Sequence, residues 1–305
     1  MAKLPDDGVY KGVPMDEYRA WPAPSFSTLK LLCMGGTPSH YKAALESPDK
    51  ESDAKTLGRW AHMAVLEPHL MAQHQCVPPS IKRRAGTQWD ALQAEQPDVT
   101  WYSPSEWAKL EPVVEQANDM QSALAEHPLA GPIIGESDHE VSFVWTDAET
   151  GIRLKGRLDA VDGRANKADY KTFANIRYST QAPMREDEIA GLPWKWGYQC
   201  QVALYTDGYM AATKSSNPGT FRLIMQESSP PYGIVIANAF SAYDLRMEAA
   251  NPDLADAAAF YKAGRAQYKS ALRTIASCEK TGIWPGYDLG IIDLTIPRWA
   301  EPDPS

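Results

Sequence analysis

Cysteine is scarce in this chain: Cys33, Cys76, Cys200 and Cys278 are the four in 305 residues. They lie far apart and no two form a C-x-x-C pair, so neither a structural zinc site nor a disulfide framework is expected. Long apolar runs are missing as well, and no basic leader with an apolar core opens the sequence. A membrane span and a secretory signal are therefore not expected, and the reading is a cytoplasmic protein with reduced thiols and no membrane partner. Positive charge is short too, with 30 Lys and Arg against 39 Asp and Glu and a net charge of −9. That argues against a protein that holds nucleic acid through a generally basic surface, because non-specific duplex affinity rests on neutralising phosphates. A nucleic-acid partner would have to meet positive charge concentrated locally, as in a channel. What the chain does have is 44% hydrophobic residues over its length, enough for a sizeable core and better suited to one elaborated domain than to two.

The stretch richest in chemistry is a hairpin. In Ile152-Arg153-Leu154-Lys155-Gly156-Arg157-Leu158-Asp159 residue types alternate, so Ile152, Leu154 and Leu158 share one face and Arg153, Lys155, Arg157 and Asp159 the other. Asp162-Gly163-Arg164 carries turn chemistry, and folding back there sets Asp169 opposite Asp159, about 5 Å away across an antiparallel pair. Lys171 points from the same face as Asp169. Two carboxylates at that separation repel unless one is protonated or a cation lies between them. A hard divalent ion, Mg²⁺ with Mn²⁺ as an alternative, is the natural occupant: it takes one or two protein carboxylates and completes its shell with water and phosphate oxygens. Arg153, Lys155 and Arg157 would then meet flanking phosphates. The competing reading is a solvent-facing hairpin whose ion pairs are each worth under about 1 kcal/mol.

An acid at the end of one strand followed by Asp-x-Lys on the next resembles the PD-(D/E)XK nuclease superfamily, with Leu158 standing where many members have proline. Gly58-Arg59-Trp60-Ala61-His62 resembles the G-x-x-x-H helix of the branch that includes the RecB nuclease domain and lambda-type exonuclease, and Gln201-Val202-Ala203-Leu204-Tyr205 its Q-x-x-x-Y helix. Gly8-Val9-Tyr10, Ser25-Phe26-Ser27-Thr28-Leu29-Lys30, Pro38-Ser39-His40-Tyr41, Trp284-Pro285-Gly286-Tyr287 and Pro297-Arg298-Trp299-Ala300 are similar to the ends of RecE-like, exodeoxyribonuclease VIII-type domains.

The resemblance implies an α/β fold, a central mixed sheet flanked by helices with the metal site at one sheet edge. It also implies an enzyme: a Mg²⁺-dependent exonuclease degrading one strand of linear double-stranded DNA from the 5′ end by direct attack of water. Such enzymes are commonly encoded by phages or prophages beside a single-strand annealing protein, and relatives form homo-oligomeric rings. Carried over residue by residue, Asp159, Asp169 and His62 hold metal, Lys171 positions the water, and Gln201 and Tyr205 hold the substrate strand. Glu140 is an additional candidate at the metal. The tight late cysteine group of iron–sulfur relatives is missing, so no iron–sulfur cluster is expected. The alternatives are a nuclease trimming single-stranded ends and a non-catalytic DNA-binding module on the same fold.

Each helper has a plainer reading. A lone histidine on an apolar helix, as His62 is on the stretch 56–67 closed by Pro68, is commonly a satisfied core residue; Gln201 and Tyr205, four apart on one helical face, could form an internal polar contact. Lys82-Arg83-Arg84 after Pro78-Pro79 reads equally as a DNA-contacting basic loop or as solvated surface.

Along the chain, 1–50 forms an N-terminal segment with helices near 27–32 and 39–46, residues 1–24 lying along the surface; 51–240 is the catalytic core; 241–305 is a C-terminal helical tract and tail. A helix is expected at 105–127, with 87–96 as a helical candidate in an otherwise irregular 70–105. Strands are expected at 140–146, 152–161, 167–173, 220–226 and 232–239. Residues 180–197, with Trp194-Lys195-Trp196, read as a loop over the site whose aromatics either stack on bases or join the core. Ser241 to Cys278 reads as a long helical tract with a break at Asn251-Pro252, and the proline-rich end as extended.

Overall fold

The expected hairpin forms, and its turn explains why. Asp162 Oδ1 accepts the backbone N–H groups of Arg164 and Asn166 at 2.8 and 2.9 Å, and its Oδ2 accepts Asn166 Nδ2. One side chain thus supplies the hydrogen bonds that the reversing backbone cannot make with itself. The structure, a computed structural model, describes residues 3–47, 52–175, 177, 182–241, 243, 258–287 and 291. The Asn251-Pro252 break, the first half of the C-terminal tract and Pro297-Arg298-Trp299-Ala300 lie outside the described residues.

Six strands build the central sheet: β1 (Gly8–Tyr10), β4 (Asp138–Thr146), β5 (Arg153–Val161), β6 (Lys167–Phe173), β7 (Thr220–Glu227) and β8 (Ile234–Ser241), side by side in that order. β6 and β7 run parallel and the other neighbours antiparallel, so the sheet is mixed as expected. A separate two-stranded parallel sheet pairs β2 (His74–Cys76) with β3 (Thr100–Tyr102). Gly156 is required by packing: an added Cβ would come within 2.2 Å of the ring of Phe143, its partner on β4.

Helices cover both faces. On one, α2 (Phe26–Cys33), α10 (Tyr198–Thr213) and α11 (Ala259–Thr281) pack on Val141, Phe143, Leu154, Leu158 and Phe221. On the other, α4 (Asp53–Leu66), α7 (Pro104–Glu126) and α8 (Ala130–Gly135) pack on Ala160, Ala168, Tyr170 and Ile224. Truncating fully buried Leu158 to Ala would cost about 2–5 kcal/mol. Short helices α1 (Met15–Ala20), α3 (Pro38–Glu46), α5 (Pro68–Met71), α6 (Thr87–Glu95) and α9 (Glu186–Lys195) complete the described elements.

Three expectations need correction. The first 24 residues do more than lie along the surface: β1 extends the sheet, and Tyr18 and Trp21 bury themselves with Val144 over part of it. Residues 186–195 form a helix, α9, and Leu192 and Pro193 are buried in it; the local signals of Pro183, Pro193 and Gly197 gave way to the burial of an apolar side. The hairpin is central, with β5 and β6 in the middle of the sheet, so the site it carries is not at an edge strand.

Candidate active site

In the register of the flanking rungs, Asp159 stands opposite Glu140 on one side and Asp169 on the other, but neither rung forms. Pairing of β4 with β5 passes from His139↔Ala160 to Val141↔Leu158, and pairing of β5 with β6 ends at Ala160↔Ala168. On the first side Glu140 takes a left-handed backbone conformation with φ 52°, uncommon for any residue other than glycine and costing about 1–3 kcal/mol. On the second, Asp159 Oδ2 accepts the Tyr170 N–H at 2.8 Å, so a carboxylate takes the place of a ladder carbonyl. The alternation of β5 also breaks here: Leu154 and Leu158 join the core on one face, Ala160 the core on the other. Strands that part in mid-sheet leave a gap that helices from both faces can reach.

They do reach it. Gly58 and His62, one turn apart on α4, face β6; a Cβ on Gly58 would lie 3.5 Å from Thr172 Oγ1, and the His62 ring stands edge-on to Tyr170 at 5.1 Å. His62 Nδ1 lies 3.7 Å from Asp159 Oδ2. From the opposite face, Gln201 on α10 donates through Nε2 to Asp169 Oδ1 at 2.8 Å. Lys171 Nζ lies 2.5 Å from Asp169 Oδ2 and 5.1 Å from the ring centre of Tyr198.

Charge is arranged unevenly. Burial, then the charge of Asp159, pushes Asp169 up to about 6 against the pull of Lys171. Burial and Asp159 likewise push Glu140 up to about 7, although Arg157 opposes them. Asp159 is raised by burial, with Lys171 and the Tyr170 N–H working against the rise. Burial alone would lower Lys171, but Asp169 and Asp159 outweigh it and the group stays an ammonium, raised above its usual range. His62 is held down to about 4 by desolvation and by Lys171, although 31% of its side chain is open to solvent. It is neutral at physiological pH, the form that binds metal.

Donor atoms of His62, Glu140 and Asp159 lie within 4.8 Å of one another. Three crowded carboxyls beside a neutral imidazole call for a cation, and the satisfaction of polar atoms agrees. Asp169 Oδ2 is buried without a well-directed hydrogen bond, even with Lys171 Nζ close by, and Gln201 Oε1 is buried with no partner. Oxygen-rich donors with one imidazole suit a hard divalent ion. A cavity of about 920 Å³ reaches this group from the β4 side, lined by Glu67, His139, Glu140 and Arg157 among others.

The structure brings Asp159, Asp169, Lys171, His62 and Gln201 together, and it places Glu140 rather than Asp169 in the tightest group with His62 and Asp159. Tyr205 shares the Gln201 face, but it is buried, edge-on to Phe143, with its hydroxyl at the backbone N–H of Arg157. Within the basic stripe, Lys155 and Arg157 are buried and engaged inside the chain, while Arg153 stays partly exposed. Lys155 Nζ donates to the carbonyls of Tyr18, Arg19 and Trp21 at 2.9, 3.1 and 2.8 Å. Arg157 is buried in an ion pair with Glu140 and bonds Val13 O, while Arg153 bonds Pro5 O and Asp7. The charged face of β5 is covered by the N-terminal segment, a cover that strand periodicity does not reveal. Lys82 and Arg83 are exposed; Arg84 is taken up by Glu106 and Trp101 O. Of the aromatics of 194–196, Trp194 is 45% exposed and edge-on to Phe260, and Trp196 packs partly against the core.

Sequence reasoning missed Glu67, whose charge acts on Glu140, and Lys30, whose ammonium feels Lys171. Glu67 gave no signal, since it closes an apolar helix next to a proline. Lys30 gave one, as a charge beside the apolar positions of α2.

No helix among the described residues is long and apolar enough to cross a membrane. No curated protein matches the chain. Among solved structures, it is similar to a protein from Eubacterium rectale provisionally described as an exonuclease, at 15% identity and a TM-score of 0.46, over 78% of this chain and 82% of that one. A family model described as a PDDEXK-like domain of unknown function (DUF3799) matches residues 25–294, a span that holds every residue of the gap and the helices that serve it, and the chain belongs to that family.

Proposed function

We propose that the protein is a divalent-metal-dependent DNA exonuclease of RecE-like type that hydrolyses phosphodiester bonds of linear double-stranded DNA, working 5′ to 3′. The observation that carries this reading is the mid-sheet gap in which His62, Glu140 and Asp159 converge while Asp169 and Lys171 form an ion pair beside them. His62, Glu140, Asp159 and Asp169 would hold the ion, Mg²⁺ or Mn²⁺ by donor chemistry. When bound, it supplies Lewis acidity toward a phosphoryl oxygen and a lowered pKa for water.

The chain's own residues do the rest. Lys171 donates to the attacking water or to the developing phosphoryl charge, and its ammonium state is secured by Asp169 and Asp159. Gln201 fixes the Asp169 carboxylate through Nε2 and presents its free Oε1 as an acceptor for water. The water oxygen joins phosphorus and gives up one proton to solvent, the bond to the leaving oxygen breaks, and that oxygen takes up a proton in exchange. No covalent enzyme intermediate is involved. The likeness of the Gly58–His62 and Gln201–Tyr205 helices and of the two chain ends to RecE-like domains supports the exonuclease assignment, with it a homo-oligomeric ring and a single-strand annealing partner in phage-type recombination.

The test is duplex DNA labelled at either the 5′ or the 3′ end, incubated with Mg²⁺ or EDTA, with Asp169→Asn in parallel. Early release of the 5′ label as mononucleotide, abolished by EDTA and by the substitution, is expected. Early loss of the 3′ label would reverse the polarity; selective attack on single strands would favour end trimming. DNA binding with no cleavage in any divalent ion would make the protein a non-catalytic module.

A further inference from the structure

The segment Ser25–Lys30 is left without a role by the mechanism above. Its last residue deserves one on physical grounds. α2 turns Phe26, Leu29 and Cys33 into the core, and Lys30 sits on the flank of that buried stripe, half-buried itself. Its Nζ lies 5.9 Å from the ring centre of Tyr198, the ring that Lys171 Nζ approaches to 5.1 Å. Two ammonium groups on different elements, α2 and β6, therefore address one tyrosine at the entrance of α10.

Their surroundings differ. Lys171 has the Asp169 carboxylate at 2.5 Å. No carboxylate among the described residues forms an ion pair with Lys30. Burial and then the charge of Lys171 push Lys30 below its usual range, so a half-buried ammonium here feels the repulsion of a second one with no acid of its own to offset it. Tyr198 offers a ring face to each cation but no charge, an attraction that does not neutralise either. An anion would relieve the repulsion, and in a site for phosphodiester hydrolysis the anion at hand is a phosphate.

We infer that Lys30 binds a backbone phosphate of the cleaved strand next to the scissile one, and that Lys30, Tyr198 and Lys171 together fix the register of that strand over the metal group. This rests on the nuclease reading. Lys171, held by its acid, serves the reacting phosphate. Lys30, with no acid of its own, is free to take up a second negative charge and is a positioning residue for the strand.

The experiment compares wild type, Lys30→Gln and Lys30→Arg on duplexes in which single phosphates flanking the scissile bond are replaced by neutral methylphosphonates. Divalent-dependent cleavage of unmodified duplex by wild type is the first readout, and its absence would remove the nuclease reading and this inference together. Given cleavage, Lys30→Gln should raise KM about tenfold with a smaller change in kcat, the factor expected for one lost charge-assisted contact of about 1.4 kcal/mol. Lys30→Arg should restore most of it. Neutralising one flanking phosphate should slow wild type about tenfold but slow Lys30→Gln less than about twofold, since the contact is already gone. Equal slowing of wild type and Lys30→Gln at both flanking positions would overturn the inference and leave the nuclease reading standing. Thermal melting of both variants checks that the fold is kept.

Discussion

Lys155 and Lys171 lie on neighbouring strands, each about 5 Å from a tyrosine ring, at 4.9 Å from Tyr18 and 5.1 Å from Tyr198. Their environments are opposite. Lys155 is surrounded by three neutral carbonyls, all satisfied, and burial pushes it down to about 8. Lys171 is surrounded by acids that push it up, and the carboxylate it faces still has a buried oxygen lacking a well-directed hydrogen bond. Where every polar demand is met within the chain, the charge is part of the architecture. At Asp169 Oδ2 and Gln201 Oε1, beside the crowded carboxyls, polar demand is left over that a group from outside the chain can meet.

The strongest way to break the comparison is to exchange its two lysines for methionine. Lys171→Met should lower the cleavage rate about a thousandfold, near 4 kcal/mol of transition-state stabilisation, with folding retained. Cleavage within tenfold of wild type would remove Lys171 from the mechanism. Lys155→Met should do the reverse. Three carbonyls, two of them in buried hydrogen bonds, lose their donor, and stability in denaturant should drop by about 2–4 kcal/mol with the kcat of the folded fraction unchanged. An unchanged unfolding midpoint would mean that the N-terminal segment is not held by this lysine.

A smaller effect concerns protons. For an acid whose folded pKa lies above its unfolded value, the protonated fold is favoured. The stability contributed by Glu140 and Asp169 is therefore fully present below about pH 4, their unfolded range, and falls as pH rises through about 6 and 7 in the metal-free protein. A bound divalent ion should offset that loss. The gain in Tm on adding Mn²⁺ should be larger near pH 7.5 than near pH 5.5, with affinity about tenfold weaker at the lower value. A gain independent of pH would show that these carboxyls do not hold the ion.

The smallest expected effect belongs to the exposed basic loop. Lys82→Ala with Arg83→Ala should weaken duplex binding about two- to fivefold and flatten its salt dependence, whereas Arg84→Ala, taken from an exposed pair with Glu106, should change affinity little. Equal losses from all three would mean that the Arg84 pair opens on binding.

The hairpin was legible because period two, a turn anchored by Asp162 and the Asp-x-Lys spacing are all local. The two supporting helices were legible because one-turn spacing puts Gly58 with His62 and Gln201 with Tyr205 on common faces. What covers a face is not local. Lys155 and Arg157 read as a DNA stripe because the residues that bury them, Tyr18 and Trp21, come more than a hundred positions earlier. Glu140 reaches the site through a left-handed backbone that no sequence rule assigns to glutamate. Lys30 meets Lys171 only when α2 and α10 pack together.

The three carbonyls gripped by Lys155 belong to the end of α1 and the residue after it, upstream of the point at which the family model begins, residue 25. A recombinant protein trimmed to that boundary would lose an edge strand, bare Val144, and leave Lys155 and Arg153 without the partners of their side chains. Monodisperse, cooperative unfolding of residues 25–305 would contradict this. The first two dozen residues extend the sheet and cover the charged face of β5, so domain limits drawn from the recognised segment alone would cut through contacts of the core.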